Sequence, residues 1–456
     1  MEGSANFGQI GPNPRPAFHS PLLLCYNSNN VKPDGLKTIM FHVLHFNLIP
    51  NFSMHISHLS LTNYRNYSRL AVELPPGPIL LRGDNAQGKT SLLEAIFFLS
   101  TTRSVHARTD QQLINWLTLK QEPLPFARVE ATVKTKLDSF RLAITLVREN
   151  DGFRKDIRLN GSKKRALDIV GKLTTVMFLP EDIELVTGAP AIRRRYLDTT
   201  LCQINPDYCQ ALTRYNKVLA NRNALLKDLA ERNGSADQLF YWDEQIAHDG
   251  ATLVTQRHNA VLELDAVARQ RHREVSGGKE GLRLYYAPSF DLYQRPKPDY
   301  QLPLIMEDLA PYSTVAPPVK EVRQTFLAYL QQSRREDIQR GVTLVGPHRD
   351  DLHFLVDGID MTLYGSRGQQ RTAALSTKLA EVALMQQSTG ETPVLLLDDV
   401  MSELDAERRQ HIINIVDQAG QALLTTTDWS DYEETFRQRS KLFSVTMGQL
   451  EEVGQI

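Results

Sequence analysis

Cysteine is scarce, with only Cys25, Cys202 and Cys209 in 456 residues. No second ligand pair stands near them at zinc spacing, which leaves ordinary reduced thiols and suits a reducing cytoplasm. An excess of charge of either sign is also missing. Basic residues number 52 against 53 acidic, for a net charge of -1. Global basicity therefore announces no nucleic acid, and any DNA-binding surface must be a local patch balanced by acid elsewhere. Apolar runs stop well short of the ~18 residues that a membrane span needs. Pro21-Leu22-Leu23-Leu24-Cys25 is too short for a signal core and lacks a basic lead-in. No membrane partner is expected. Internal repeats and low-complexity tracts are absent as well.

What is present is the composition of a globular protein, 41% hydrophobic and 23% charged. A chain of 456 residues is too long for one ordinary core and suits two or three lobes. Residues 1–53 are rich in Gly, Pro, Asn and Ser and read as disordered, or as a start assigned too early. Met54 then opens a strand pattern through Ile56, Leu59 and Leu61, followed by a strand at Leu70–Leu74 and a turn at Pro75-Pro76-Gly77. Ile79-Leu80-Leu81 reads as a buried strand, and Thr90–Leu99 as a helix with Leu92, Leu93, Ile96 and Phe97 on one face.

From Ala127 to Leu159 the period switches to two, with hairpin turns at Asn150-Asp151-Gly152 and Asn160-Gly161, which predicts an antiparallel sheet. Residues 205–275 are helical and break at Arg232–Ser235. Leu212, Tyr215, Leu219, Leu226 and Leu229 follow a seven-residue spacing in which Arg222 occupies one seam position. Two readings stay open here: a short antiparallel arm, or two helices packed in a bundle. Pro296–Pro318 is expected to be irregular and Gly341–Val356 strand-like. An α/β rhythm closes the chain, with helices from Gln370 and Asp405 and strands at Val394–Leu397 and Ala422–Thr426. The division expected is a head in two parts, 54–204 and 321–456, around a helical lobe at 205–320.

Gly83-Asp84-Asn85-Ala86-Gln87-Gly88-Lys89-Thr90, followed by Ser91, is a complete phosphate loop between strand and helix. Its backbone N–H groups and the helix N-terminus face a β-phosphate. Lys89 adds a point charge between the β- and γ-phosphates, and the Thr90 hydroxyl can ligate Mg²⁺. Asp398 and Asp399 end an apolar strand. The first is expected on Mg²⁺ beside ATP, and the second as the group that polarises the attacking water. Ser366-Arg367-Gly368-Gln369-Gln370 precedes a helix, where a hydroxyl and a glycine N–H can form an anion site or a simple N-cap.

The order of these features resembles the DNA-repair branch of the ABC-type ATPases over residues 54 to about 450. Further support comes from Leu179-Pro180-Glu181-Asp182, Arg193–Leu197, Gly346–Leu352, Ser402–Asp405 and Thr425–Asp428. The resemblance implies an α/β ABC-type ATPase head, a P-loop core sheet plus an antiparallel β subdomain, with a helical second lobe. It implies an ATP-dependent homodimer in which Ser366, Gly368 and Gln369 serve the partner's γ-phosphate, with Asp399 as the hydrolytic carboxylate. Double-stranded DNA and single-strand/double-strand junctions would be bound, and RecR and RecO would be partners in RecA loading at gaps and a normal SOS response.

Two departures from the wider superfamily, Asp399 in place of Glu and Thr426-Thr427-Asp428 in place of a switch histidine, imply slow, weak ATPase turnover. Lys163, Lys164 and Arg165 are the basic cluster placed to face DNA, whereas Arg193–Arg195 suit a packed face. His348 and Arg349 have no metal-ligand spacing around them. Tyr64 and Tyr67 could abut adenine or pack in the core. A rival reading is an SMC-like chromosome-structuring ATPase. That class needs hundreds of residues of heptads between loop and signature, and here Ser366 follows Gly83 by only 283 residues. A transporter ATPase subunit and a simple phosphotransferase fit the signature element less well.

Overall fold

A computed structural model describes residues 53–149, 152–232, 234–293 and 315–454. The expectations for the amino-terminal 1–53 segment, the Asn150-Asp151 turn and the proline-rich 296–318 segment fall outside the described residues, apart from Ser53, Gly152 and 315–318.

The chain starts with β1 (His55–Tyr64), β2 (Tyr67–Glu73) and β3 (Gly77–Arg82), and then the phosphate loop opens helix α1 (Lys89–Thr101). A short α2 (Trp116–Gln121) leads to β4 (Phe126–Lys134), β5 (Ser139–Glu149), β6 (Gly152–Leu159) and β7 (Ser162–Lys164). These strands form an antiparallel sheet in the order β2-β1-β4-β5-β6-β7. Alternation decides its two faces. Leu59, Leu61, Val129, Ala131, Leu142 and Ile144 are buried together with Leu92, Leu93 and Ile96 of α1, and their polar neighbours face solvent. The β6–β7 turn is Asn160-Gly161, both at positive φ, as a two-residue hairpin turn demands.

After α3 (Ala166–Ile169), β8 (Thr175–Phe178) and α4 (Glu184–Thr187) come three longer helices, α5 (Pro190–Ile204), α6 (Pro206–Arg232) and α7 (Leu239–Val275). Strand β9 (Leu282–Ala287) and helix α8 (Val319–Arg340) precede β10 (Asp351–Val356), β11 (Ile359–Asp360) and α9 (Met361–Tyr364). The signature helix α10 (Arg367–Thr389) is followed by β12 (Val394–Leu397), α11 (Ala406–Gln418), β13 (Gln421–Thr426), α12 (Glu434–Arg439), β14 (Lys441–Thr446) and β15 (Gln449–Glu452). The core sheet runs β15-β14-β3-β13-β12-β8. Its β14, β3, β13, β12 and β8 are parallel, so both halves of the chain build one sheet and bring the phosphate loop beside the Asp398-Asp399 strand end.

One open reading is decided and two expectations are corrected, each for a physical reason. Of the two readings for 205–275, the helices take the bundle and not the two-helix arm. Arg222, fully buried, bonds Asp243 of α7 and Asp337 of α8, each at 2.8 Å, so the polar residue in the heptad seam ties three helices together. Within 341–356 only Asp351–Val356 is a strand. The preceding stretch is a loop anchored through buried Asp350, which accepts from the Tyr286 hydroxyl and from Ser289 N–H. The helix expected from Gln370 begins at Arg367, because the Ser366 hydroxyl caps it. Among the described residues no helix is long and apolar enough to cross a membrane.

Candidate nucleotide site

The phosphate loop is held open from several sides. Gly88 takes φ +118° at the N-cap of α1, a conformation that glycine adopts freely. A Cβ on Gly88 would lie 2.5 Å from the Asn66 side chain, and one on Gly83 2.3 Å from the Val445 carbonyl. Asn66 Nδ2 donates to the Gln87 carbonyl at 2.8 Å, and the Tyr67 hydroxyl donates to the Gly88 carbonyl at 3.0 Å. The β14–β15 turn supports the other side, with Met447 N–H on Gln87 Oε1 at 2.7 Å and Gly448 N–H on the Gln87 carbonyl. Tyr64 and Tyr67 are both fully buried, so they pack the core and do not face a base.

Around this loop lies a trough of about 580 Å³. Its walls include Asp84, Asn85, Ala86, Gln87, Gly88, Lys89, Thr90 and Ser91, together with Asp398 and Asp399. Lys89 Nζ donates to the carbonyls of Gly83 and Asp84. Burial lowers its pKa, and Asp399, Asp398 and Asp84 oppose that shift. Asp398 is buried, accepts from the Thr425 hydroxyl at 2.8 Å, and receives its backbone position from β8 through Phe178. Asp399 sits at φ +50° with its N–H on the same Thr425 hydroxyl. Burial raises the Asp399 pKa, Lys89 opposes this, and Asp398 adds to the rise. A carboxylate with greater proton affinity is the stronger base toward water.

Thr90 and Asp398 share the trough and supply a hydroxyl and a carboxylate. That hard-oxygen pair fits Mg²⁺, which keeps most of its shell as water and phosphate oxygens. Arg65, Asn66, His106, Gln112, Ile114, Trp116, Pro180 and Glu181 complete the walls. Most of these were invisible as site residues in the sequence. Trp116 carries no motif, and the Thr425 support depends on the pairing of β12 with β13.

Ser366, Gly368 and Gln369 are not among the trough residues. The Ser366 hydroxyl accepts from Gln369 N–H at 3.3 Å and Gln369 Oε1 accepts from Ser366 N–H at 3.0 Å, a reciprocal cap. Ser366 and Gly368 are exposed, and a Cβ on Gly368 would meet nothing within 4 Å. Packing among the described residues therefore gives no reason for a glycine at that position.

The basic residues divide by role. Arg193 forms a bidentate pair with Asp351, Arg194 donates to the Asp350 carbonyl and Arg195 to the Ser104 carbonyl, so all three fasten α5 to its neighbours. Lys163, Lys164 and Arg165 are exposed, but Arg165 is paired with Asp168 at 2.8 Å. His348 contacts the Tyr215 hydroxyl and the Thr343 carbonyl, a structural role.

Residues 55–452 match the family model of the RecF/RecN/SMC N terminal domain. The chain is 43% identical over 411 residues to the DNA replication and repair protein RecF of Chloroflexus aggregans, covering 87% of this chain and 99% of that one. The RecF of Halalkalibacterium halodurans is 37% identical over 402 residues, covering 88% and 100%. Among solved structures, the recombination mediator protein RecF with ATPrS, in the RecFOR pathway, superposes with a TM-score of 0.75 at 33% identity, covering 88% of this chain and 99% of that one. The corresponding RecF–ATP structure gives 0.74 at 32% identity, covering 88% and 100%.

Proposed function

The chain belongs to the RecF family of ABC-type ATPases, and on that premise we propose that it is an ATP-driven DNA-binding switch of replication and recombinational repair. The observation that supports this reading most is the separation of its two phosphate-binding elements. Loop, Lys89, Thr90, Asp398 and Asp399 converge on one trough, while the Ser366–Gln369 element lies outside it, with Ser366 and Gly368 exposed and no described residue near enough to require a glycine at 368.

In this reading the N–H groups of the loop and Lys89 hold the triphosphate, and Thr90 and Asp398 would hold Mg²⁺, which would supply neutralisation of phosphate charge. Asp399, beside Asp398 in the same trough, orients and deprotonates the attacking water. Ser366, Gly368 and Gln369 of a second copy close over the γ-phosphate. The short Asp399 side chain makes hydrolysis slow, as suits a clamp that releases DNA after turnover. Double-stranded DNA, single-strand/double-strand junctions, RecR and RecO are its proposed partners at gaps, where it promotes RecA loading and a normal SOS response.

Duplex retention with and without ATP, measured on the intact chain and on Lys89→Ala, tests this. ATP should raise retention of the intact chain about tenfold or more, the scale of ~1.4 kcal/mol of coupling. Lys89→Ala should bind no fluorescent ATP analogue and show no ATP effect. Retention that ignores nucleotide in the intact chain rules the switch out.

A further inference from the structure

We propose that the outward face of the antiparallel β2-β1-β4-β5-β6-β7 sheet is the surface on which duplex DNA lies. Arg128, Arg141, Arg158 and Lys163 take its phosphates. This rests on the ATP-dependent DNA binding proposed above and assigns it a place.

Pairing register sorts the side chains. Leu59, Leu61, Val129, Ala131 and Ile144 point toward α1, so His58, Ser60, Glu130 and Ala143 point away from it. The same parity puts Arg69, Arg128, Lys134, Arg141, Arg158 and Lys163 on the outward face. Glu73, Glu130 and Asp156 oppose them there, while Arg154 and Glu149 pair with each other at the sheet end. With Arg154 and Glu149 included, seven cations stand against four carboxylates on one plate of a chain whose net charge is only -1, and Arg128 and Arg158 are shared with Glu130 and Asp156.

The centre of the plate is a shallow trough of about 560 Å³ lined by Arg128, Thr132, Ser139, Arg141, Arg158 and Asn160. Guanidiniums, hydroxyls and an amide are the donors that phosphate oxygens accept from. Arg141 is 66% exposed, and its nearest carboxylate oxygen, on Glu130, is 3.6 Å away, leaving most of its donors free for a ligand. Arg158 is diagonal to Arg141 across β5–β6, because it pairs with Ala143. Diagonal partners stand ~7–8 Å apart, close to the ~7 Å axial advance of two phosphates along one DNA strand.

Lys163 extends the row from β7 through its pairing with Arg158, whereas Lys164 pairs with Ile157 and has the opposite parity. Of the basic cluster at 163–165, Lys163 alone belongs to this face. Polyanionic duplex fits the plate because its cations span four neighbouring strands, from Arg128 on β4 through Arg141 on β5 and Arg158 on β6 to Lys163 on β7, the spread that a repeating line of phosphates would meet.

The test replaces three cations with Arg141→Gln/Arg158→Gln/Lys163→Gln. A control removes equal charge elsewhere, at Lys217, Lys320 and Arg335, all exposed on α6 and α8. Binding of a labelled duplex with ATP is read by anisotropy across a salt series. For the sheet variant we expect about tenfold weaker binding or more, and a log–log salt slope flatter by about 2–3. Fluorescent ATP-analogue binding should be unchanged, which also shows that the variant is folded. The control should bind duplex like the intact chain. Equal duplex binding by the sheet variant and the intact chain overturns the face alone, as does an equal loss in the control. An intact chain that retains no duplex at all overturns both this proposal and the function it rests on.

Discussion

His348 illustrates how a residue that invites a catalytic reading can serve as a strut. Its ring accepts from the Tyr215 hydroxyl at 2.6 Å and donates to the Thr343 carbonyl at 3.0 Å, an arrangement that only the neutral ring can make. Burial pushes its pKa down to about 4, the Thr343 bond opposes this, and Arg349, Arg194 and Arg222 lower it further. A depressed pKa means that the unfolded chain binds the proton first. The stabilising contribution is therefore complete above the ordinary histidine value of ~6.5 and is lost as pH falls toward 4. Unfolding free energies from urea titrations should fall between pH 7 and pH 4.5 by at most ~1.4 kcal/mol per pH unit from this group, and His348→Gln should flatten that part of the profile. An unchanged profile in the variant rules the assignment out. Residues such as Lys89 and Thr90 were legible in the sequence because eight consecutive positions dictate one backbone path. Asn66, Trp116 and Thr425 were not: Asn66 reaches the loop from the β1–β2 turn by a side-chain bond, Trp116 from the start of α2, and Thr425 through the pairing of β12 with β13.

Among the elements, α10 links the exposed signature cap to the nucleotide site. Its Lys378 and Glu381 are buried as a pair, and Glu381 also accepts from the Thr200 hydroxyl at 2.7 Å. A cavity of about 430 Å³ brings them beside Asp182 and shares His106 and Glu181 with the nucleotide trough. Burial pushes the Asp182 carboxyl up to about 6 although Lys378 draws it down, so this is a cluster in which one cation serves two carboxylates. Removing the cation leaves buried charge uncompensated. Lys378→Met should destabilise by about 3–5 kcal/mol, and Lys378→Met/Glu381→Met by distinctly less, as read by chemical denaturation. Equal losses in the two variants contradict that account. The sequence showed the position of this helix well but not its start, because Ser366 reads equally as an anion ligand and as a cap. Likewise, the heptad seam of α6 was visible, but the reason for Arg222 was not. It required Asp243 and Asp337 from helices 21 and 115 residues away.

For the molecule as a whole, the order of loop, insertion, signature and acidic strand was enough to identify the head, because the core sheet needs strands from both ends of the chain. The resemblance implied a signature that serves a second copy, and in this chain Ser366, Gly368 and Gln369 are absent from the lining of its own trough. Beside the signature, Leu363 and Tyr364 on α9 are exposed at 71% and 69%, an apolar shoulder next to a cap with no phosphate of its own. Contiguous exposed apolar patches mark contact surfaces, and Leu363 and Tyr364 are neighbours in the chain. If a second copy covers that shoulder and lends its cap to the γ-phosphate, dimerisation and nucleotide binding are separable by mutation. Ser366→Arg should leave ATP-analogue affinity within about threefold, less than ~0.7 kcal/mol, because no residue of the trough changes. It should nevertheless sediment as a monomer with ATP present, where the intact chain sediments as a dimer. The long cation would occupy the space into which the partner's triphosphate must fit. A Ser366→Arg chain that dimerises with ATP like its parent would show that the two copies do not share the site, and the separation of cap and trough would then need another cause.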